Sequence, residues 1–282
     1  MQTVSALYTD ILASGGHHEV KLEIDGVVYD MDKLISMQTS HALFDGAVSV
    51  GNTIAGTIDV QLIASSNSIP TMAELRPYVR AVDDTRQSEW LPRGVYWIDT
   101  REYDKETGIL TLTGMDAMLK GEQDYCQYGD QGYWPQVDTN VLSDIAVRLG
   151  LGTDTYTVVQ VVGDPNSLGL YELRNNEYVL TSDTSVVSGK TYYRRANTGV
   201  DSRTWPKLNS VYKIQYPGIG EGAYTVREVL GYIGSAYAGN WILNEQGKLR
   251  LIVLGDIPAE TSYLIDEFGN TITLGGDRLV LV

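Results

Sequence analysis

Cysteine is nearly missing from this 282-residue chain. The single Cys126 excludes an internal disulfide, and the stretch DYCQYGDQGYW offers no cationic neighbour to hold a reactive thiolate. Histidine is scarce too, with only His17, His18 and His41. A catalytic imidazole needs an oriented partner, and the spacing supplies none; the glycine-flanked His17-His18 pair reads as solvated loop. No C-x-x-C, H-E-x-x-H or EF-hand pattern is present, so neither a metal nor a cofactor is expected. GIGEG at 218–222 lacks the spacing and the G-K-[ST] ending of a phosphate loop, and no G-x-S-x-G elbow occurs. Asp83-Asp84, Asp99 and Glu102 read as solvated turn carboxylates, not as a glycosidase pair held across a cleft. The expectation is a protein that is not an enzyme. Long apolar runs are also missing, and nothing approaches the roughly 20 residues of a membrane span. MQTVSALYTD has no basic segment followed by an apolar one, so no signal peptide is expected. Positive charge is in deficit, 21 Lys and Arg against 36 Asp and Glu, for a net charge of -15. That balance excludes binding to nucleic acid by phosphate neutralisation. It serves solubility, and it would also suit a wall that DNA must pass without sticking.

What is present is ordinary globular material, 43% hydrophobic and 20% charged, which can bury a core. The first part reads as β. EVKLEI and VVYDMD flank Asp25-Gly26, a strong hairpin signal. LISMQTS is extended and FDGAVSVGNT is rich in turn residues. AGTIDVQLIA alternates Ile58, Val60 and Leu62 against Thr57, Asp59 and Gln61, as a half-buried strand does. LRPYVRAV is a strand whose Pro77 argues for an edge or strand-start position. RGVYWIDTREYD and GILTLTG form a last pair. Short strands separated by turns predict a sandwich or closed barrel over residues 1–118.

Helical spacing then appears. Val141, Leu142, Ile145 and Leu149 make one stripe, with Asp138 or Thr139 able to start the helix and Gly150 to end it. Val226, Val229, Leu230, Ile233 and Tyr237 make a second, opened by a capping box in which Thr225 and Glu228 bond each other's backbone N–H; Gly239 reads as its stop. WILNEQGKLRLIVLG follows as a hairpin. Residues 119–154 and 204–260 thus form an α+β connecting domain, and 155–203 a small polar β meander of about three strands inserted into it. The tail, 261–282, returns to alternating strands: either a last strand closes a sheet or a further domain starts. The predicted fold class is therefore mainly β with an α+β module. At the exit from the first domain, in GILTLTGMDAMLKGE, Asp116 stands where a strand passes into a helix. No partner for chemistry accompanies it, so it reads as an N-cap accepting from Met118 or Leu119 N–H, with Asp116→Ala costing about 0.5–2 kcal/mol.

Aromatic usage is lopsided, 19 Tyr against 2 Phe. Tyrosine suits half-wet surfaces, including interfaces. Tyr125, Tyr128, Tyr133 and Trp134 are the candidate interface cluster, set against simple packing. Tyr171, Tyr178, Tyr192 and Tyr193 gather in the meander.

Two segments together resemble a known family. SEWLPRGVYWIDTREYDKETGILTLTGMDAMLKGE, residues 88–122, is similar to the end of the first domain of tail-hub proteins of tailed bacteriophages (tail-tip or baseplate-hub proteins), where a W-x-P-x-G strand leads to a strand and helix joined at an aspartate. TVREVLGYIGSAYAGNWILNEQGKLRLI, residues 225–252, resembles the family's t-x-R-e-v-L helix and d-G-k-L hairpin. YVLTSDTSVVSGKTYY resembles a small module of phage tail proteins. The resemblance implies a structural virion protein: a tube-like β-barrel hub domain, an α+β connector and a second barrel starting near Thr261. It implies a homotrimer closing the distal end of the tail tube, linking it to the tail tip or baseplate and forming part of the DNA-ejection channel. Its implied partners are the distal tail or tail-tube protein, the C-terminus of the tape-measure protein, tail fibre or receptor-binding proteins, and DNA in transit, without stable membrane insertion. Its implied place is the virion tail tip, after assembly in the host cytoplasm. The peptidase and lysozyme regions of some relatives have no counterpart here. The alternative from another class is a host-surface carbohydrate-binding tail module with the meander as binding element.

Overall fold

The computed structural model describes residues 4–256, except 45, 66–68, 127–133, 160–168, 209–212, 216–217 and 219–221, together with the pairs 273–274 and 277–278. Helix α1 (Ala6–Ala13) opens it, with the Ser5 hydroxyl accepting from Tyr8 N–H. Strands β1 (His17–Ile24) and β2 (Val27–Tyr29) follow, joined at Asp25 and Gly26. Both turn residues have positive φ, 46° and 82°, the mirror-image turn whose twist matches a hairpin. His17 and His18 are exposed on β1, not in a loop, and His18 Nε2 lies 2.9 Å from the Tyr8 hydroxyl.

Strands β3 (Leu34–Ser40), β4 (Thr57–Ile63), β5 (Glu74–Val82), β6 (Leu91–Pro92), β7 (Tyr96–Tyr103) and β8 (Ile109–Met115) complete an antiparallel sheet in the order β2-β1-β5-β7-β8-β4-β3, with β6 on β5. Alternation places Ile58, Val60, Leu62, Leu75, Leu110 and Leu112 in one core with Leu22, Tyr29 and Tyr96. Residues from both ends of the sheet share that core, so the sheet bends over its own inner face. It does not close: β2 and β3 end the order and no ladder joins them among the described residues. The expected closed barrel is thus an open sheet. Pro77 also departs from expectation, since β5 is central. Its carbonyl accepts from Arg93 N–H at 2.9 Å, so its missing N–H faces the same side. On that side β5 has parted from β7 after Leu75 and pairs with the two-residue β6 at Tyr78 and Val79, and the Arg93 carbonyl, which a Pro77 N–H would have met, accepts from the Tyr96 hydroxyl at 3.0 Å instead.

The second core is mixed. A 3-10 turn (Ala117–Glu122) replaces the helix expected after Asp116. Strand β9 (Gln136–Val137) runs into helix α2 (Asp138–Arg148), which buries Val141, Leu142 and Ile145. Asp138 does not cap α2 from outside; it is its first residue and accepts from Thr139 N–H at 2.7 Å and from the Tyr237 hydroxyl. A four-stranded sheet follows, β10 (Asp154–Val159), β11 (Leu170–Arg174), β12 (Glu177–Leu180) and β13 (Tyr192–Asn197), ordered β10-β13-β11-β12, one strand more than expected. Strand β14 (Lys213–Ile214) pairs with β9. Helix α3 (Val226–Ala236) buries Val226, Val229, Leu230 and Ile233, each worth about 1.5–3 kcal/mol of apolar burial. Ala238, at φ 51°, makes the left-handed step after it, and Gly239 already belongs to the next strand. The hairpin β15 (Gly239–Leu243) and β16 (Leu249–Val253) adds Trp241, Leu243, Leu249 and Leu251 to the same core. Of the tail, Thr273–Leu274 pair with Asp277–Arg278; the rest of the expected second barrel lies outside the described residues.

Candidate functional site

The caps singled out in the sequence, Asp116, Thr225 and Glu228, lie at the seam between the two cores. Asp116 leaves β8 in an extended conformation, and its Oδ1 accepts from Met118 N–H at 2.9 Å. Its second oxygen accepts from Gly56 N–H at 2.7 Å, sixty residues earlier. Asp116 is 2% exposed. Burial pushes its pKa up to about 6, against the two N–H bonds and the Arg227 charge, which hold it down. One carboxylate therefore ties three segments together.

His41 stands beside this bond. A Cβ at Gly56 would lie 2.5 Å from His41 Nδ1 and 2.8 Å from Asp116 Oδ2, so imidazole and carboxylate flank one point. The other ring nitrogen lies 2.6 Å from the Tyr96 hydroxyl, which also donates to the Arg93 carbonyl at 3.0 Å. Burial, and then the Arg93 charge, lower the His41 pKa. Burial and the Asp116 charge raise that of Tyr96.

His41 and Gly56 bound a long connection between β3 and β4, and its middle docks on the second core like a strap. Gly51 N–H donates to the Gly239 carbonyl at 2.9 Å and Trp241 N–H to the Asn52 carbonyl at 2.8 Å, so the strap pairs with β15. The Asn240 side chain accepts from Asn52 N–H and donates to the carbonyls of Leu43 and Ser49. Gly51 crosses α3 at Gly231: a Cβ on Gly231 would lie 2.9 Å from the Gly51 carbonyl oxygen. Two glycines permit that approach.

Arg227, on the first turn of α3, closes the seam. Its guanidinium donates to the carbonyls of Thr53 in the strap and of Met118 in the 3-10 turn, and to the Glu122 carboxylate. Val226 N–H donates to the Gln123 carbonyl at 2.9 Å, and Thr225 bridges Asp124. Thr225 and Glu228 form the reciprocal capping box, with Glu228 Oε2 2.8 Å from Thr225 N. At the far end of the seam, Gly94 N–H donates to the Glu245 carbonyl in the β15–β16 turn at 3.0 Å.

The aromatic clusters are placed differently. Tyr125 is 1% exposed and belongs to the second core, where Trp134 meets it edge-on at 5.7 Å and Arg148 lies over its ring at 5.0 Å. It packs inward and presents no surface. Trp134 is half-buried; Tyr128 and Tyr133 lie outside the described residues. In the four-stranded sheet Tyr156 stacks on Tyr178 at 4.1 Å, while Tyr171 and Tyr193 meet these two rings edge-on. Among the described residues no group of three or more His, Cys, Asp or Glu side chains is placed to hold a metal ion.

No family model matches the chain, and neither does any curated protein. Solved structures similar to it include two tail proteins. One is the 43 kDa tail protein of prophage MuSo2 from Shewanella oneidensis, 13% identical, over 92% of this chain and 61% of that one, with a TM-score of 0.47. The other is the tail protein from Neisseria meningitidis MC58, 11% identical, over 90% and 53% of the two chains, with a TM-score of 0.39. The chain spans less than two-thirds of either protein's length. At such distances function has to be argued from the residues of the seam.

Proposed function

We propose that the chain is a structural protein of a phage tail: a hub that closes the distal end of the tail tube, links it to the tail tip or baseplate, and lines part of the DNA-ejection channel as a homotrimer. The observation that carries this reading is the fit between the two segments that resemble the hub family. Residues 88–122 and 225–252 are far apart in sequence, yet they interlock at both ends. Gly94 of the W-x-P-x-G strand bonds the turn of the second segment's hairpin. Met118 and Glu122, beyond the aspartate, bond the arginine of the second segment's helix. The resemblance therefore follows a three-dimensional unit as well as two strings of letters.

In this reading residues 1–118 are the tube-like element, 119–154 and 204–260 the connector, 155–203 an insertion, and 261–282 the start or remnant of a second tube-like element. The open sheet suits a ring. Strand β3 is an edge of seven residues with neither charge nor proline, the devices that keep an exposed edge from pairing. Neighbouring subunits or the tail-tube protein would cover it. The tape-measure C-terminus and the fibre or receptor-binding proteins attach at other faces, and the excess of acidic residues keeps transiting DNA off the wall. The chain carries out no reaction of its own in this reading. Native mass measurement tests it: a trimer of about 93 kDa, three times the 31.1 kDa chain, is expected. A monomer at every concentration, together with labelled particles that carry the protein away from the tail axis, would overturn it.

A further inference from the structure

A cleft of about 910 Å³ lies between β6, the β10–β13 pair of the four-stranded sheet, the Trp205–Lys207 turn and the β15–β16 turn. Its volume falls in the range of small-ligand sites. Its charge runs against that of the whole chain: Arg194, Arg203 and Lys248 line it against Asp201 and Glu245, while Arg195, also in the lining, is held by Asp144 and Asp154 at 2.6 and 2.7 Å; three cations thus face two carboxylates, whereas the chain carries 21 basic and 36 acidic residues. A basic concavity in an acidic protein concentrates anions locally.

Arg203 is built into place. Asp201 is 4% exposed, and its carboxylate accepts from Arg203 N–H at 2.9 Å, from Nε at 3.0 Å and from Nη2 at 2.6 Å. Asn244 Nδ2 donates to the same carboxylate at 2.7 Å. These bonds hold the guanidinium, whose side chain is 41% exposed, in one orientation at the cleft. Glu245 approaches Nη2 at 3.7 Å from the rim. A pre-oriented planar fork is what recognition of a carboxylate or phosphate needs, because its ordering entropy is already spent. The remaining lining is rich in hydroxyls and amides, including Thr155, Thr157 and Gln246, and the half-buried Trp205 supplies a ring. That lining fits a saccharide better than a peptide, which would need apolar pockets at alternate side chains.

We infer that this cleft binds an acidic saccharide, one bearing carboxylate or phosphate groups, with the anion on Arg203 and flanked by Arg194 and Lys248. The site is independent of the hub reading. The meander contributes Thr155, Thr157 and Arg194 to the cleft, and not Tyr156, Tyr171, Tyr178 or Tyr193, whose rings are engaged with one another.

Isothermal titration of the full chain with trigalacturonic acid and with glucose 6-phosphate tests the inference. Maltotriose, inorganic phosphate and hexaglutamate serve as comparison probes. At least one acidic saccharide should bind with Kd of roughly 0.01–1 mM, weaken as salt rises, and exceed each comparison probe at least tenfold. Arg203→Gln leaves the buried Asp201 unpaired and can unfold the site, so the rim variant Lys248→Glu is decisive. It should lower affinity about tenfold while thermal unfolding is unchanged, and Lys105→Glu, in the β7–β8 turn, should leave affinity as it was. Failure of both acidic saccharides to bind, equal binding of maltotriose, phosphate or hexaglutamate, or an unaffected Lys248→Glu protein would overturn it.

Discussion

Replacing Asp116 by asparagine isolates what its burial does. In the folded chain its pKa is about 6, against 3.8 for the free side chain. A carboxyl group whose pKa is raised on folding holds its proton more tightly in the folded state. Its contribution is therefore largest at low pH and is lost as pH rises through about 6. With these two values, moving from pH 7 to pH 5 adds on the order of 1 kcal/mol of stability from this one group. At 2% exposure no solvent screening reduces that figure much. His41 acts in the opposite sense: its lowered pKa favours the neutral ring on folding, so its contribution declines as pH falls through the imidazole range. That slope is present with either residue at position 116 and drops out of the comparison. The Asp116→Asn side chain cannot take up the proton, and its amide can satisfy only one of the Gly56 and Met118 N–H groups. The other is left without an acceptor, at about 1–3 kcal/mol. Urea unfolding of both proteins at pH 7 and pH 5 gives the answer. The gap between them should widen by about 1 kcal/mol at the lower pH. A gap that stays constant, or narrows on acidification, would refute the assignment of a buried, mostly ionised Asp116 at neutral pH.

Three further outcomes are expected. Arg227→Met removes the bonds to Thr53, Met118 and Glu122 and should lower stability by roughly 2–4 kcal/mol, read as a shift of the urea midpoint. Gly231→Ala drives a methyl into the Gly51 carbonyl and should cost about 1–3 kcal/mol, with new protease cleavage within 41–56 as the strap lifts. Thr225→Ala breaks the capping box and should cost about 0.5–2 kcal/mol, while Thr225→Ser retains most of it.

How much was legible depended on sequence distance. Asp25-Gly26 announced its hairpin because turn chemistry is local, and the Thr225–Glu228 box was readable because its partners are one helical turn apart. Asp116 was readable as a cap for Met118, but its bond to Gly56 spans sixty residues and leaves no mark in either neighbourhood. The segment FDGAVSVGNT read as turn residues, and it contains most of the strap; its Gly51 serves a close crossing over α3, which composition cannot distinguish from a flexible loop. Pro77 misled because the rule against proline in central strands assumes that both neighbours stay paired along the whole strand. Here β5 parts from β7 just before it. The closed barrel failed for a related reason: alternation tells which face is buried, and says nothing about whether the first and last strands meet. The cleft was invisible because Arg203, Lys248 and Thr157 come from three separate segments.

The strap has a mechanical consequence. It leaves β3 and returns into β4, two strands that are laddered to each other, and between them it is hydrogen-bonded alongside β15. A load that pulls the second core along the strap would stretch those bonds in parallel, and it would reach both anchoring strands together. A load that peels the cores apart would meet the same bonds one at a time, starting at the Arg227 contact with Thr53. The joint is therefore stiff to sliding and compliant to hinging.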